Sequence, residues 1–392
     1  MYQRALSTIK GRIPSGYKQL QPSKKDLIIV AMSSGVDSSV AASFYKDFPN
    51  VQGIFMQNWN QLDSNRCLEK DFNDVLKIGE QLKIPIDLCN FEKDYWLNVF
   101  EPMINSYSQG ITPNPDINCN RFVKFGRLIN YIEKKYQNKD YWLVTGHYSR
   151  VLENLRTGKM ELLKGYYKQK DQSYYLSQIN NKVLNKLLLP IGHFTKPEIR
   201  DIASELDLYT AKKPDSTGLC FVNPSQGKFN DFLRQFIEEK PGSIKTKDGK
   251  VWGKHEGLWS YTRGQKLRGI SLPQGDINYR GSWYISEKNI LKNEIIIVQG
   301  VNNEELFDQQ VYIEGFVPLD EGIDIGNVPI DELRVQYRSL QKSVKLSEVI
   351  NLGSGKFLFK FKDPRRAVAV GQYLCVYHFD RCLGSGIIHA TE

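Results

Sequence analysis

What this 392-residue chain lacks closes off several classes of function. It has no run of about eighteen apolar residues, the length a helix needs to cross a bilayer, so nothing marks a membrane span. Its six cysteines (Cys67, Cys89, Cys119, Cys220, Cys375 and Cys382) form no Cys-x-x-Cys pair and no Cys/His cluster at zinc spacing, which argues against a metal site. In a chain of this length without a secretory signal they read as thiols rather than as a disulfide framework. Internal repeats and low-complexity tracts are missing too, and no Gly-Lys-Ser/Thr ending marks a Walker A loop.

Acid is missing from residues 1–25, which hold Arg4, Lys10, Arg12, Lys18, Lys24 and Lys25 together with Ser7, Thr8, Ser15 and Ser23. The segment reads as an organellar transit peptide, with a disordered basic tail as the alternative. It carries +6 of the net charge of +9 and leaves +3 for the rest. Overall charge is therefore weak evidence for a nucleic-acid partner, and any basic surface must be local.

What is present begins with a 41% apolar fraction over a length that suits two or three domains. Leu27-Ile-Ile-Val-Ala-Met-Ser-Ser-Gly-Val-Asp-Ser-Ser39 reads as a buried parallel strand running into a small polar turn and a helix start. Such a turn offers free backbone N–H groups to a phosphate or pyrophosphate. Strands at 51–56, 84–89 and 141–145 alternate with helices at 71–82, 94–107 and 121–136, the last with Phe122, Phe125, Leu128, Ile129 and Ile132 on one face. Thr195-Lys-Pro-Glu198 fits a capping box opening a helix over 199–206. Repeated βα units predict a parallel doubly wound α/β sheet with ligands at the carboxyl ends of its strands. A further helix over 230–239 is expected. Beyond Pro241-Gly242, short alternating segments such as 294–298, 309–314, 356–361 and 372–377 predict a C-terminal all-β barrel or sandwich.

Chemistry concentrates in a few places. In Thr112-Pro-Asn-Pro-Asp-Ile-Asn-Cys119 two prolines stiffen a loop, and a helix beginning near Cys119 lowers the pKa of that thiol, helped by Arg121 and Lys124. Asp116 is placed to act as a general acid or base, or as a base-recognition acceptor. Cys220, after a Ser-Thr-Gly turn, is a second candidate thiol that only folding can bring to the first. Gly146-His-Tyr-Ser-Arg150 follows a strand end, where His147 and Arg150 can reach phosphate or base. Lys170-Asp-Gln-Ser-Tyr174 suits RNA or a solvated helix start. Arg334, Tyr337, Arg338, Lys356, Lys360, Lys362, Arg365 and Arg366 suit RNA or a charged sheet face.

The turn at 33–38 resembles the Ser-Gly-Gly-x-Asp-Ser loop of the PP-loop ATP pyrophosphatases, with Ser34 in place of a Gly. The ordered set resembles one branch, the tRNA-specific 2-thiouridylases, over nearly everything after residue 26. It comprises Phe-Met-Gln-Asn-Trp at 55–59, Thr-Pro-Asn-Pro-Asp-Ile-Asn-Cys-Asn at 112–120, Gly-His-Tyr at 146–148 and Lys-Asp-Gln-Ser-Tyr at 170–174. Ser-Thr-Gly-Leu-Cys-Phe at 216–221, Tyr-Arg at 337–338, Gly-Gln at 371–372 and Leu-Gly-Ser-Gly-Ile-Ile at 383–388 complete it. Two departures stand out: Thr262-Arg-Gly-Gln-Lys-Leu-Arg-Gly replaces Thr-His-Gly-Gln-Arg-x-Gly-Leu-Gly, and Pro364-Arg-Arg-Ala-Val-Ala-Val-Gly-Gln372 replaces Pro-Gln-x-Ala-Val-Thr-Pro-Gly-Gln.

The resemblance implies a parallel PP-loop nucleotide-binding domain at 26–222, a small central domain at 223–282 and a tRNA-binding β-barrel at 283–392. It implies ATP, with its Mg²⁺, on Ala31, Met32, Ser33, Ser34, Gly35, Val36, Asp37, Ser38, Met56 and Gly146. Asp116 and Cys119 would be catalytic, Cys220 would carry a persulfide supplied by a sulfur-donor protein, and the two cysteines would form a transient disulfide. Asn114, Pro115 and Asp116 would face the target uridine. His147, Lys170, Asp171, Gln172, Tyr337, Arg338 and Gln372 would contact tRNA. The implied activity is ATP-dependent 2-thiolation of the wobble uridine, in mitochondria or alternatively a bacterial cytoplasm. Its rivals are an ATP pyrophosphatase acting on a small molecule and an RNA-binding protein without catalysis.

Overall fold

A five-stranded parallel sheet organises the first half of the chain. The computed structural model describes residues 1–59, 65–137, 139–215, 229–268 and 280–392. Leu27–Met32 lies centrally between Val51–Gln57 and Tyr141–Val144, with Ile86–Asn90 beyond the former and Leu187–Leu188 beyond the latter. Ile29 points into one core with Tyr95, Val99, Phe125 and Leu128, whereas Ile28 and Val30 point into another with Val40, Phe44, Ile78 and Ile199. Both faces are covered, and that is why the strand is an unbroken apolar run. The chain moves outward from Leu27–Met32, then returns across it to Tyr141–Val144. This reversal opens a crevice beyond the carboxyl ends of those two strands.

The helices follow the expected spacing with two changes of winding, at Trp96–Phe100 and Cys119–Arg127. Residues 92–108 form one continuous helix, and so do residues 115–135. The second widens to π geometry over Cys119–Arg127. The i→i+5 bonding of that stretch shifts the phase of its side chains. Val123 and Phe125 are buried, but Phe122, expected on the same face, is 38% exposed under the Arg121 guanidinium. The capping box at Thr195 and Glu198 is formed in full and opens Lys196–Glu205.

The second half is β throughout its core. Val251–His255, Gly242–Thr246, Glu294–Gln299 and Trp283–Asn289 form a four-stranded sheet in that order. The expected division at residue 283 therefore cuts through this sheet, because Glu294–Gln299 pairs in parallel with Gly242–Thr246. The helix expected over 230–239 is confined to Phe229–Leu233. Beyond residue 306, six strands close into an antiparallel barrel: Phe307–Pro318, Lys356–Arg366, Val344–Gly353, Leu333–Gln336, Tyr373–His378 and Arg381–Thr391, the last pairing back with the first. Ser149–Asn154 and Met160–Lys164 extend the barrel sheet from the first domain. Among the described residues no helix is long and apolar enough to cross a membrane.

The basic N-terminal segment is built into the fold rather than forming a disordered tail. Tyr2–Lys10 is a helix that buries Ala5 and Ile9 against Phe44 and Ile202. Arg12 donates to both Glu198 carboxylate oxygens at 2.7 and 2.8 Å and to the His193 carbonyl, with its guanidinium 4.3 Å over the Tyr166 ring. Tyr17–Lys18 adds a strand edge beside Glu153–Asn154. Two of the basic residues that look like a leader in sequence, Arg4 and Arg12, pair with acids of the helix Lys196–Glu205. Deleting residues 2–18 should cost about 3 kcal/mol and lower the melting of the first domain by roughly 6–12 °C in calorimetry. The Arg12 hydrogen bonds hold the Glu198 carboxyl down from 4.5 to about 2. A depressed carboxyl stabilises above its unfolded value, so the full chain's advantage over the deletion should shrink as pH falls from 4.5 towards 2.

Candidate active site

The phosphate cradle forms where Leu27–Met32 ends. Gly35 caps Val36–Tyr45 in extended geometry, leaving the first N–H groups of that helix without intrahelical partners. The turn is braced by hydroxyls. Ser38 Oγ donates to the Ser33 carbonyl at 2.9 Å and accepts from the Ser33 N–H at 3.0 Å, and Ser39 Oγ donates to the Gly35 carbonyl at 2.9 Å. Ser34 lies outside the positive-φ residues, so its backbone does not require the glycine it replaces. Gly146 packs directly on the helix start, where a Cβ would stand 2.7 Å from the Ser38 nitrogen and 2.9 Å from the Asp37 carbonyl carbon. Only glycine fits there. Free N–H groups, small hydroxyls and the Asp37 carboxylate form a donor set suited to a nucleotide's phosphates with an accompanying divalent cation.

Beside the cradle, the loop from Thr112 to Asn118 is held from three sides. Gln372 Nε2 donates to the Thr112 and Pro113 carbonyls at 2.9 and 3.0 Å, and its Oε1 accepts from Asn114 at 3.3 Å. The Tyr373 hydroxyl donates to Asn118 Oδ1 at 2.8 Å. From the four-stranded sheet, Lys288 Nζ reaches Thr112 Oγ1 at 3.4 Å and the Tyr261 carbonyl at 2.9 Å; burial pushes this ammonium down to about 8. At Gly371, with φ +91°, a Cβ would stand 2.3 Å from Ile111. Thus the barrel backbone itself abuts the loop.

The helix starts at Pro115, earlier than expected, so Cys119 lies at the entry to the π stretch rather than at the helix N-terminus. Cys119 is buried. Burial raises the Asp116 carboxyl above its ordinary range, against the opposing pull of Lys124. Desolvation and Lys124 together lower His147 to about 3, so its ring is neutral at physiological pH; Nδ1 contacts Thr145 Oγ1 at 2.7 Å, and Phe125 packs alongside. Cys220 lies outside the described residues, so its distance from Cys119 is open. Asp215, just before its motif, is within reach of the cradle: Lys196 Nζ bridges from Asp37, at 2.6 and 2.8 Å, to Asp215, at 3.1 Å.

Matches to known proteins agree along the whole chain. Residues 26–224 match the model described as tRNA methyl transferase HUP domain, 230–299 the tRNA methyl transferase PRC-barrel domain, and 328–388 the aminomethyltransferase β-barrel domain. The chain is 48% identical to the mitochondrial tRNA-specific 2-thiouridylase 1 of Saccharomyces cerevisiae, over 99% of this chain and 98% of that one. The chain belongs to the tRNA-specific 2-thiouridylase family. Its relatives include the mitochondrial enzyme of Schizosaccharomyces pombe, 37% identical over 95% and 92% of the two chains, and the 2-thiouridylase of Ligilactobacillus salivarius, 38% identical over 93% and 96%.

Several residues to which the 2-thiouridylase pattern gives RNA contacts have other work in this structure. Asp171 is buried, and its carboxylate accepts from the Gly165 and Ser173 N–H groups and the Ser173 hydroxyl; it holds the segment rather than facing outward. Gln172 Oε1 accepts from the Tyr148 N–H at 2.8 Å. Tyr337 is buried in the barrel core, and Arg338 donates to the Ala367 carbonyl. Arg150, read from sequence as a phosphate or base contact, is a buried strut that donates to the Lys164 carbonyl at 2.7 Å. Lys170 pairs with Asp215 at 2.7 Å, on the cradle side. Arg263, where the family usually has His, pairs half-buried with the buried Asp308 and donates to Ser286, Val368 and Glu305 carbonyls, tying the central sheet to the barrel. Lys196 escapes a reading from sequence because only its neighbours' capping pattern is legible there. If Gln372 is a loop clamp, Gln372→Ala should lose about 2 kcal/mol of loop anchoring. Single-turnover thiolation should then slow at least about tenfold with unchanged tRNA affinity in filter binding.

Proposed function

We propose that the protein uses ATP to replace the 2-oxygen of the wobble uridine of certain tRNAs with sulfur. Support comes chiefly from the glycine-lined phosphate cradle standing beside a clamped loop that carries Asp116 and Cys119. The uridine carbonyl oxygen is a poor leaving group. Transfer of AMP to it releases pyrophosphate and makes it a good one. The terminal sulfur of a Cys220 persulfide then forms the C–S bond, and AMP departs with the original oxygen. Sulfur arrives either by direct attack of the persulfide, after which the Cys119 thiolate attacks the Cys220 sulfur and breaks the S–S bond to free the thiolated uridine, or as hydrosulfide that the same attack has released beforehand. Either route leaves a Cys119–Cys220 disulfide that a thiol reductant must reopen. A divalent cation held through Asp37 would neutralise phosphate charge.

Asn114, Pro115 and Asp116 are the proposed uridine contacts, with Asp116 as the proton-handling group. A carboxyl raised by burial is suited to that task near neutral pH. The proposed setting is mitochondrial, on the strength of the yeast relatives, with a persulfide-carrying protein as donor. Mass spectrometry of tRNA nucleosides tests the function: deletion of the gene should remove 2-thiouridine, and an unchanged nucleoside profile would overturn it.

A further inference from the structure

We infer that Lys196 is a phosphate-binding residue of the ATP site, an ammonium handed from Asp37 to the nucleotide's phosphates. The inference rests on the nucleotide site proposed above and adds a residue to it. Lys196 is the first residue of the helix Lys196–Glu205, whose start is fixed by the Thr195–Glu198 capping box. Its side chain is 11% exposed. Nζ donates to both Asp37 oxygens, at 2.6 and 2.8 Å, and lies 3.1 Å from Asp215. Asp37 is in the first turn of Val36–Tyr45, so the ammonium is placed at the end of the helix that receives phosphate. The Tyr148 hydroxyl donates to the same Asp37 carboxylate at 2.8 Å.

The charges around this pair are unequal. Asp215 also receives Arg200 at 2.6 Å and Lys170 at 2.7 Å, so three cations converge on two carboxylates. Burial alone would raise the Asp215 carboxyl, but the hydrogen bonds from Lys170, Lys196 and Arg200 outweigh it and hold it well below the usual range. Asp215 therefore stays ionised and keeps hold of Lys196 when Asp37 turns to other partners. A purely structural pair would need neither the surplus cation nor a position at a helix start. An anion arriving there meets an ammonium already desolvated and oriented, the preorganised arrangement that strengthens most when charge develops on phosphate oxygens. Asp215 also directly precedes the Ser216–Cys220 motif in the chain.

The test uses the full chain and two readouts. In wild type, ATP with Mg²⁺ should raise the melting temperature, and AMP should form in the presence of tRNA. Lys196→Met should lose the ATP-induced rise and form AMP about a hundredfold more slowly, with tRNA affinity unchanged. Lys196→Arg, which keeps the charge, should recover part of both. A Met variant that melts lower without ATP but keeps the full ATP-induced rise and AMP rate would overturn the inference. Should the Met variant fail to fold, Lys196→Gln is measured in the same two ways: loss of both supports the inference, and retention of both overturns it. Failure of the thiolation reading shows separately, as wild-type AMP formation indifferent to tRNA, while the ATP-induced rise still tests Lys196.

Discussion

Cys119→Ser is expected to abolish thiolation, by about a thousandfold or more, while ATP-dependent stabilisation and tRNA binding stay close to wild type. The asymmetry follows from where the residue sits. Cys119 is buried at the junction where the helix from Pro115 widens, directly after the segment that Gln372, Tyr373 and Lys288 hold from outside. Serine is nearly isosteric, so the loop and its clamps should remain. What changes is the nucleophile: a hydroxyl stays protonated at neutral pH and is a far weaker attacking group than a thiolate. Quantifying 2-thiouridine made in a single turnover by persulfide-loaded enzyme, alongside the ATP thermal shift, separates the two effects. Full thiolation by the variant would show that Cys119 is not the sulfur-releasing thiol and that the two-thiol mechanism is wrong.

Gly146→Ala should be nearly as damaging, at the opposite end of the reaction. The added methyl would stand 2.7 Å from the Ser38 nitrogen, and every atom it meets is backbone of Asp37 or Ser38, which cannot turn aside as a side chain could. Either the strand end at Val144 or the helix start at Val36 must retreat. A displacement approaching 1 Å in a preorganised site costs about a hundredfold in rate. Steady-state kinetics should show the loss of AMP formation, and the methyl should weaken ATP binding more than tRNA binding, because the clash is confined to the start of Val36–Tyr45. A variant with normal ATP kinetics would mean that the phosphates dock elsewhere than at this helix start.

Much of the architecture can be read from the chain because local pattern and burial agree. The run Leu27–Met32 is apolar throughout because both sheet faces are covered, and the Ser-rich turn after it has the composition its geometry requires. The capping box at Thr195 is legible for the same reason. Errors arise where long-range pairing decides. Sequence periodicity cannot show that Glu294–Gln299 pairs in parallel with Gly242–Thr246, so a division at residue 283 cuts the central sheet. Nor can it show that the N-terminal cations pair with Glu198 and Glu205, across more than 180 residues of chain. The π winding after Cys119 moves Phe122 off the face that α periodicity assigns it. Among site residues, Gly146 and Asp116 are visible as motifs. Lys196 and Lys288 are not, because an ordinary lysine gives no local signal of being buried against a distant carboxylate or loop.

The barrel's seam has a practical consequence. Its sheet runs without interruption through Arg381–Thr391 into the hairpin Ser149–Lys164, and its residues 370–373 hold the loop that bears Cys119. The parts are therefore not interchangeable modules. Transplanting a relative's barrel would also replace the surface against which the reacting loop is set, so a chimera should lose rate. Barrel and reacting loop are inherited together here, and exchange of the one will have to co-select Gly371 and Gln372 for the other.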